Sequence, residues 1–187
     1  MEVGFALCGS FCTYAQVFPV LEELASKHHV IPILSAASQS IDSRFGTARE
    51  HFQRIKAICG RAPICTIAEA EPIGPKKLLD ALIIAPCTGN TLAKLAHSIA
   101  DGPVTMAAKS HLRNGRPILV AVSTNDALAG AAENIGRLMG RKHYYFVPFG
   151  QDDPLMKPTS MVADFSKIPE ALEAALASRQ IQPILLG

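Results

Sequence analysis

Short apolar runs rich in β-branched residues alternate along the chain with longer stretches whose apolar positions recur every three or four residues. The runs Val3–Cys8, Val30–Leu34, Ala81–Ala85, Pro117–Val122 and Tyr144–Val147 read as strands, with Ile64–Ile67 a weaker sixth. The intervening periodicity predicts helices over Gln16–Lys27, Thr47–Cys59, Thr91–Ile99, Val104–Arg113, Leu128–Met139 and Pro169–Gln180. Pro19 either starts the first of these or kinks it. Ile83, Ile84 and Ile118–Val122 are apolar on both alternations, as strands covered on both faces must be. The alternation predicts an α/β fold of three layers, a doubly wound parallel sheet of about six strands with helices on both faces. No internal repeat or low-complexity linker interrupts the 187 residues, which suit one domain spanning 1–187.

Composition narrows the function classes. Apolar residues make up 49% and charged residues 18%, a balance that builds a sizeable core and excludes disorder. A net charge of +2 is too weak a field to mark a nucleic-acid binder. The absence of Trp argues against a stacking platform for single strands. The five cysteines, Cys8, Cys12, Cys59, Cys65 and Cys87, contain no CxxC pair, and no histidine has metal-ligand spacing. Neither a disulfide scaffold nor a metal site is expected, and Cys87 reads as a small buried thiol. His51 and His97 read as exposed or structural. The uncharged stretch Val3–Leu21 is broken by Gly9, Ser10, Thr13, Gln16 and Pro19 and follows Glu2, so it is neither an export signal nor a span. A cytoplasmic protein with no membrane and no nucleic-acid contact is the expectation.

The two ends of the strands differ in chemistry. Basic clusters such as Lys27-His28-His29, Arg113-Asn114-Gly115-Arg116 and Arg141-Lys142-His143 precede strands, where they suit helix C-termini. Small polar loops follow the strands: Cys8-Gly9-Ser10, Ser35-Ala36-Ala37-Ser38, Pro86-Cys87-Thr88-Gly89-Asn90, Ser123-Thr124-Asn125-Asp126 and Phe149-Gly150-Gln151-Asp152-Asp153. Each alone reads as a helix cap. Together they line the carboxyl edge of an open parallel sheet, where ligands bind, and their free N–H groups suit a phosphate. Asn90 and Asn125 offer donors and acceptors together, which suits a planar heterocycle. No G-x-G-x-x-G, Walker A or G-x-S-x-G pattern occurs.

The run Ala85-Pro86-Cys87-Thr88-Gly89-Asn90-Thr91 resembles the P-A-S/T-A-N-T loop of the flavin-dependent cysteine decarboxylases. Gly9-Ser10 resembles their phosphate loop, and Thr124-Asn125-Asp126-Ala127-Leu128 falls where they carry M-N-x-x-M. Over essentially its whole length the chain resembles the family of dipicolinate synthase B subunits. The match is carried by Pro86–Asn90, Arg113–Pro117, Ser123–Leu128, Pro148–Pro154, Lys157-Pro158, Ser160–Asp164 and Gln180–Leu185. Two departures from the decarboxylases stand out. Pro72 occupies about the place of the histidine in their H-I-x-L segment, and Gly150–Pro158 replaces their Gly-rich, Cys-bearing clamp.

The resemblance implies a Rossmann-like flavoprotein fold, an FMN cofactor and a homo-oligomer. It implies an oxidoreductase subunit whose partner is the A subunit of dipicolinate synthase, a nicotinamide (NADP) protein. Together the two would oxidise dihydrodipicolinate to dipicolinate in the mother cell of a sporulating bacterium. On this reading Gly9, Ser10 and Thr13 hold the FMN phosphate, and Ser35 and Ser38 form a second phosphate or ribityl loop. Thr88, Gly89, Asn90, Thr91, Ser123 and Thr124 complete the cofactor site, with Asn125 as the catalytic-site residue and Lys157 and Gln151 at the substrate. The alternative is a cofactor-free partner that completes or regulates the site of the A subunit, with Phe149–Lys157 as its contact surface. A stand-alone decarboxylase is argued against by Pro72.

Overall fold

The computed structural model describes residues 1–187. Five strands, β1 (Glu2–Leu7), β2 (His29–Leu34), β3 (Ala81–Cys87), β4 (Ile118–Thr124) and β5 (Tyr144–Phe146), form a parallel sheet in the order β2-β1-β3-β4-β5. β3 is buried along its whole length and β4 over Ile118–Ser123, matching their apolar character on both faces. Two short strands missed by the sequence pattern, β6 (Phe149–Gly150) and β7 (Met161–Ala163), add an antiparallel hairpin. β4 therefore shares one edge between two partners. Its first half pairs with β5, and Ser123 and Thr124 at its end pair with β7.

The helices are α1 (Tyr14–Lys27), α2 (Ala36–Ser40), α3 (Ala48–Cys59), α4 (Ile67–Ala70), α5 (Gly89–Ala96), α6 (Pro103–Leu112), α7 (Ala132–Met139) and α8 (Ile168–Leu176). Their apolar faces join the strands in one cluster of 49 buried residues. α3 starts where its chemistry says it should. Thr47 Oγ1 accepts the Glu50 N–H at 3.2 Å while Glu50 accepts the Thr47 N–H at 2.8 Å. It stops at Gly60, whose φ of +65° is the left-handed conformation that ends helices.

Several boundaries move from the sequence expectation for identifiable reasons. Pro19 lies well inside α1, on its solvent side, and does not start the helix. Ile64–Ile67 is not a strand. Ile64 makes one bridge to β2, and a Thr66–Glu69 capping box then opens α4. α7 starts at Ala132 because the Asp126 carbonyl accepts the N–H groups of Ala129 and Ala131, closing a turn over the first residues. α8 ends at Leu176, and Gln180 turns back. Its side-chain amide pairs with both the N–H and the carbonyl of Phe146 at 2.7 Å, as a neighbouring strand would.

Two histidines are buried. His51 packs against Tyr14, with ring centroids 4.8 Å apart, and against Phe11 and Phe18. His111 in α6 places Nε2 3.1 Å from the Pro117 carbonyl oxygen, so that nitrogen carries the proton, and Nδ1 has no partner. Burial pushes the His111 pKa down to about 4 from the ordinary 6.5. The unfolded chain therefore binds this proton more readily, and stability falls as pH drops through that window. At about 1.4 kcal/mol per unit the loss amounts to about 3 kcal/mol. Urea unfolding at about pH 7 and about pH 4 should show His111→Gln losing less stability on acidification than the parent, by about that amount. Equal losses in the two proteins would remove His111 as the cause.

Candidate functional site

The carboxyl ends of β1, β2, β3 and β4 open into two adjoining hollows that share Gly9 and Thr88. The larger, about 600 Å³, lies between the loops after β1, β3 and β4 and the excursion between β6 and β7. The smaller, about 330 Å³, lies between the loops after β1 and β2 and the starts of α5 and α6.

Hydrogen bonds hold these loops in register. Ser123 Oγ donates to Ser10 Oγ at 3.0 Å and Ser10 Oγ donates to the Ser123 carbonyl at 3.0 Å, clasping the ends of β1 and β4 across β3. Thr13 Oγ1 donates to the Ser10 carbonyl at 2.8 Å. Thr91 Oγ1 donates to Cys8 Sγ at 3.3 Å, and Thr88 Oγ1 takes the Thr91 N–H. Ser38 is buried beneath the site. It donates to the Leu7 carbonyl at 2.9 Å, and its oxygen lies 3.0 Å from the Tyr14 hydroxyl and 2.9 Å from Ser35 Oγ. Gly89 sits where a Cβ would come within 2.8 Å of both Thr124 Oγ1 and Asp126 Oδ1, two atoms that are hydrogen-bonded to each other. Any side chain there would part them.

The structure thus separates the candidate residues by place. Gly9, Ser10, Thr13, Thr88, Ser123, Thr124, Asn125 and Lys157 line the larger hollow; Gly9, Ser35, Thr88, Asn90 and Thr91 line the smaller. Gly89 lies behind the Thr124–Asp126 pair. Gln151 is exposed, and its side-chain amide is tied to the Pro158 carbonyl at 2.8 Å, outside both linings. Pro72 lies in a short turn against α6 and lines neither hollow.

The main chain supplies what the hydroxyls do not. The N–H groups of Gly9 and Ser10, of Ala36 and Ala37 behind Ser35, and of Gly89 and Asn90 behind Thr88 donate to nothing within the chain. They belong to loops that meet at one edge of the sheet, an arrangement that suits an oxyanion such as a phosphate. Lys94, paired with Asp101 at 2.9 Å, stands beside them, as does the start of α6 at Gly102–Thr105. The sequence pattern did not single out this contribution, although Gly102-Pro103 is a helix-start signal.

The larger hollow is not cationic. Lys157 pairs with Asp152 at 3.1 Å, which raises the Lys157 pKa, and Asp126 adds a second carboxylate. Phe11 and Phe45 give it an apolar side, and Asn125 stands exposed in its lining. Cys12 is exposed in the same lining, whereas Cys8 and Cys87 are fully buried. Burial pushes the Cys8 thiol up to about 11 and the Cys87 thiol well above its ordinary value. In the folded protein a thiol reagent should therefore modify Cys12 first and leave Cys8 and Cys87 untouched until unfolding. Peptide mapping after brief alkylation checks this, and early labelling of Cys87 would contradict the burial argument.

A family model described as Flavoprotein matches residues 1–161. The chain is 47% identical over 186 residues to the B subunit of dipicolinate synthase from Bacillus subtilis (strain 168), covering 99% of this chain and 93% of the relative. The crystal structure of the dipicolinate synthase B subunit from Bacillus halodurans C superposes with a TM-score of 0.91 at 46% identity, over 100% of this chain and 96% of that one. The FMN-dependent cysteine decarboxylase SpaF shares the fold, with a TM-score of 0.70 at 22% identity over 95% of this chain and 96% of its own.

Proposed function

The chain belongs to the flavoprotein family, and from that premise we propose that it binds FMN at the carboxyl edge of its sheet and serves as the B-type component of a dipicolinate-forming synthase. The observation that carries the reading is the set of N–H groups without a partner in the chain at Gly9, Ser10, Ala36, Ala37, Gly89 and Asn90, in loops that meet at one edge of the sheet. Those of Gly9, Ala36, Ala37 and Asn90, which line the smaller hollow, would hold the phosphate there, with Ser35, Thr88 and Thr91 around it. The larger hollow, with Thr124, Asn125, Phe11 and Phe45, fits an uncharged planar ring better than a dianion. Bound FMN would supply an acceptor for the hydride lost when a dihydropyridine ring becomes aromatic.

The chain's own residues orient and exclude. Asn125 would hydrogen-bond the ring or the substrate from the mouth of the hollow. The two carboxylates of dihydrodipicolinate need cationic anchors. The one lysine in the hollow is committed to Asp152, so those anchors would come from the nicotinamide-binding A subunit, with its NADP. The surface for that partner would be the excursion 151–160, where Leu155 is 91% and Met156 80% exposed. This exposure also favours a second reading, a cofactor-free protein that completes the A subunit's site.

A visible absorption spectrum distinguishes the two. After incubation with FMN and removal of the excess, the protein should retain a flavin spectrum. Bound flavin should also slow alkylation of Cys12. A colourless protein that refuses FMN while still supporting dipicolinate formation by the A subunit would establish the second reading instead.

A further inference from the structure

A third hollow, about 360 Å³, opens between the end of α5, α6 and β5, sharing only Thr105 with the smaller hollow at the sheet edge. Its walls are largely apolar, with Leu95, Ile99 and Leu112. Its charged groups are Lys109, Arg113 and Arg141, and no carboxylate lines it. None of the three cations takes part in an ion pair. Arg141 donates to the Leu95 carbonyl at 3.0 Å and the Ala96 carbonyl at 2.6 Å, capping α5, which leaves its charge unopposed by any acid. The helix dipole explains why cations sit at the end of α6.

It does not explain Tyr144. This residue is only 7% exposed, lines the hollow, and its hydroxyl has no hydrogen-bond partner in the chain. Its oxygen is not among the buried polar atoms that lack a partner, so the hydroxyl faces water at the wall of the hollow. Burial pushes the Tyr144 phenol up to about 12, so it remains a donor at neutral pH. A water-facing donor beside three unopposed cations and an apolar wall suits an acceptor that is anionic at one end and apolar at the other.

We propose that this hollow binds a small organic anion with an apolar body, of the aromatic carboxylate class. Its carboxylate accepts from the Tyr144 hydroxyl beside Arg141, Lys109 and Arg113, and its ring lies on Leu95, Ile99 and Leu112. A free inorganic oxyanion would use the cations but leave the apolar wall wet, so it binds less tightly. The site is distinct from the flavin site proposed above and does not depend on it.

The test uses the full chain and benzoate as the probe. The protein has three tyrosines and no Trp, so ring-labelled tyrosine gives three resolvable NMR signals. The Tyr144 signal is identified by its loss in Tyr144→Phe. Millimolar benzoate should shift the Tyr144 signal saturably while Tyr14 stays in place. Lys109→Gln and Arg113→Gln, both at exposed positions, should together weaken binding about tenfold, in the range of charge-assisted contacts. Inorganic phosphate should bind more weakly than benzoate. The proposal is overturned by a Tyr144 signal that does not move up to about 20 mM benzoate, by an unchanged affinity in the double variant, or by phosphate matching benzoate. If the double variant does not fold, the single variants and the Tyr144→Phe affinity carry the same decision.

Discussion

Replacing Ala37 by Glu is expected to abolish FMN binding, raising the dissociation constant by at least about a hundredfold, since like charges brought together cost several kcal/mol. Ala37 lines the smaller hollow, and a Cβ on Gly9 would come within 3.2 Å of the Ala37 methyl, so a side chain grown from Ala37 enters that hollow beside the Gly9 main chain. The new carboxylate would occupy the donors there itself and repel a phosphate. Ala37 is only half-buried, so the longer side chain can reach water and the fold should persist. Ala37→Gln keeps the bulk without the charge and separates sterics from electrostatics. Titration of FMN by flavin fluorescence reads both variants. Equal affinities for Glu and Gln would mean that the phosphate does not sit there.

Asn125→Ala is expected to reduce dipicolinate formation by the reconstituted A and B subunits by at least about a hundredfold, the effect of removing one well-placed donor from a reacting centre. The substitution is structurally mild. The Asn125 carbonyl, which survives it, accepts the Thr159 hydroxyl at 2.7 Å. Only a long 3.5 Å contact from Ser160 Oγ to Oδ1 is lost, and the side-chain N–H₂ donates to nothing within the chain. Retained FMN should therefore match the parent while kcat falls. An unchanged rate would remove Asn125 from the chemistry. A loss of flavin together with rate would make it a cofactor-positioning residue instead.

The sheet was legible because its strands carry their burial in their composition. Ile83, Ile84 and Ile118–Val122 are apolar on both faces, and α3 shows a helical period over Thr47–Cys59. The elements that escaped have too few residues to show a period. α2 is five residues of Ala, Ser and Gln, and β6 and β7 are two and three residues long. The hairpin also runs against the parallel grain, and nothing in Phe149–Gly150 signals that direction. At the sheet edge, the sequence marks the polar loops but not how their hydroxyls pair with one another. Ser10, Thr13, Ser38, Thr91 and Ser123 look like ligands because hydroxyls suit phosphate. In three dimensions their hydroxyls bond to other groups of the chain, and the N–H groups of the same loops are left without a partner. Main-chain donors have no residue type, so sequence marks them only indirectly, through Gly9 and the caps Ser35 and Thr88. The Asp152–Lys157 pair closes over five residues, and its charge cancellation becomes visible only when the loop is folded.

The hairpin that sequence did not announce joins the sheet through just two residue pairs, Ser123 with Val162 and Thr124 with Met161, at the tip of β4. Thr159 and Ser160 add bonds to the Asn125 loop, so the part between Gly150 and Thr159 should behave as an exchangeable cassette. A loop of different length or polarity grafted between those two anchors would change what stands over the larger hollow while the ladder of five parallel strands keeps its register. In a scaffold of this kind, new substrate preferences can be explored by swapping one insert of about ten residues, at a position where added loop length costs little.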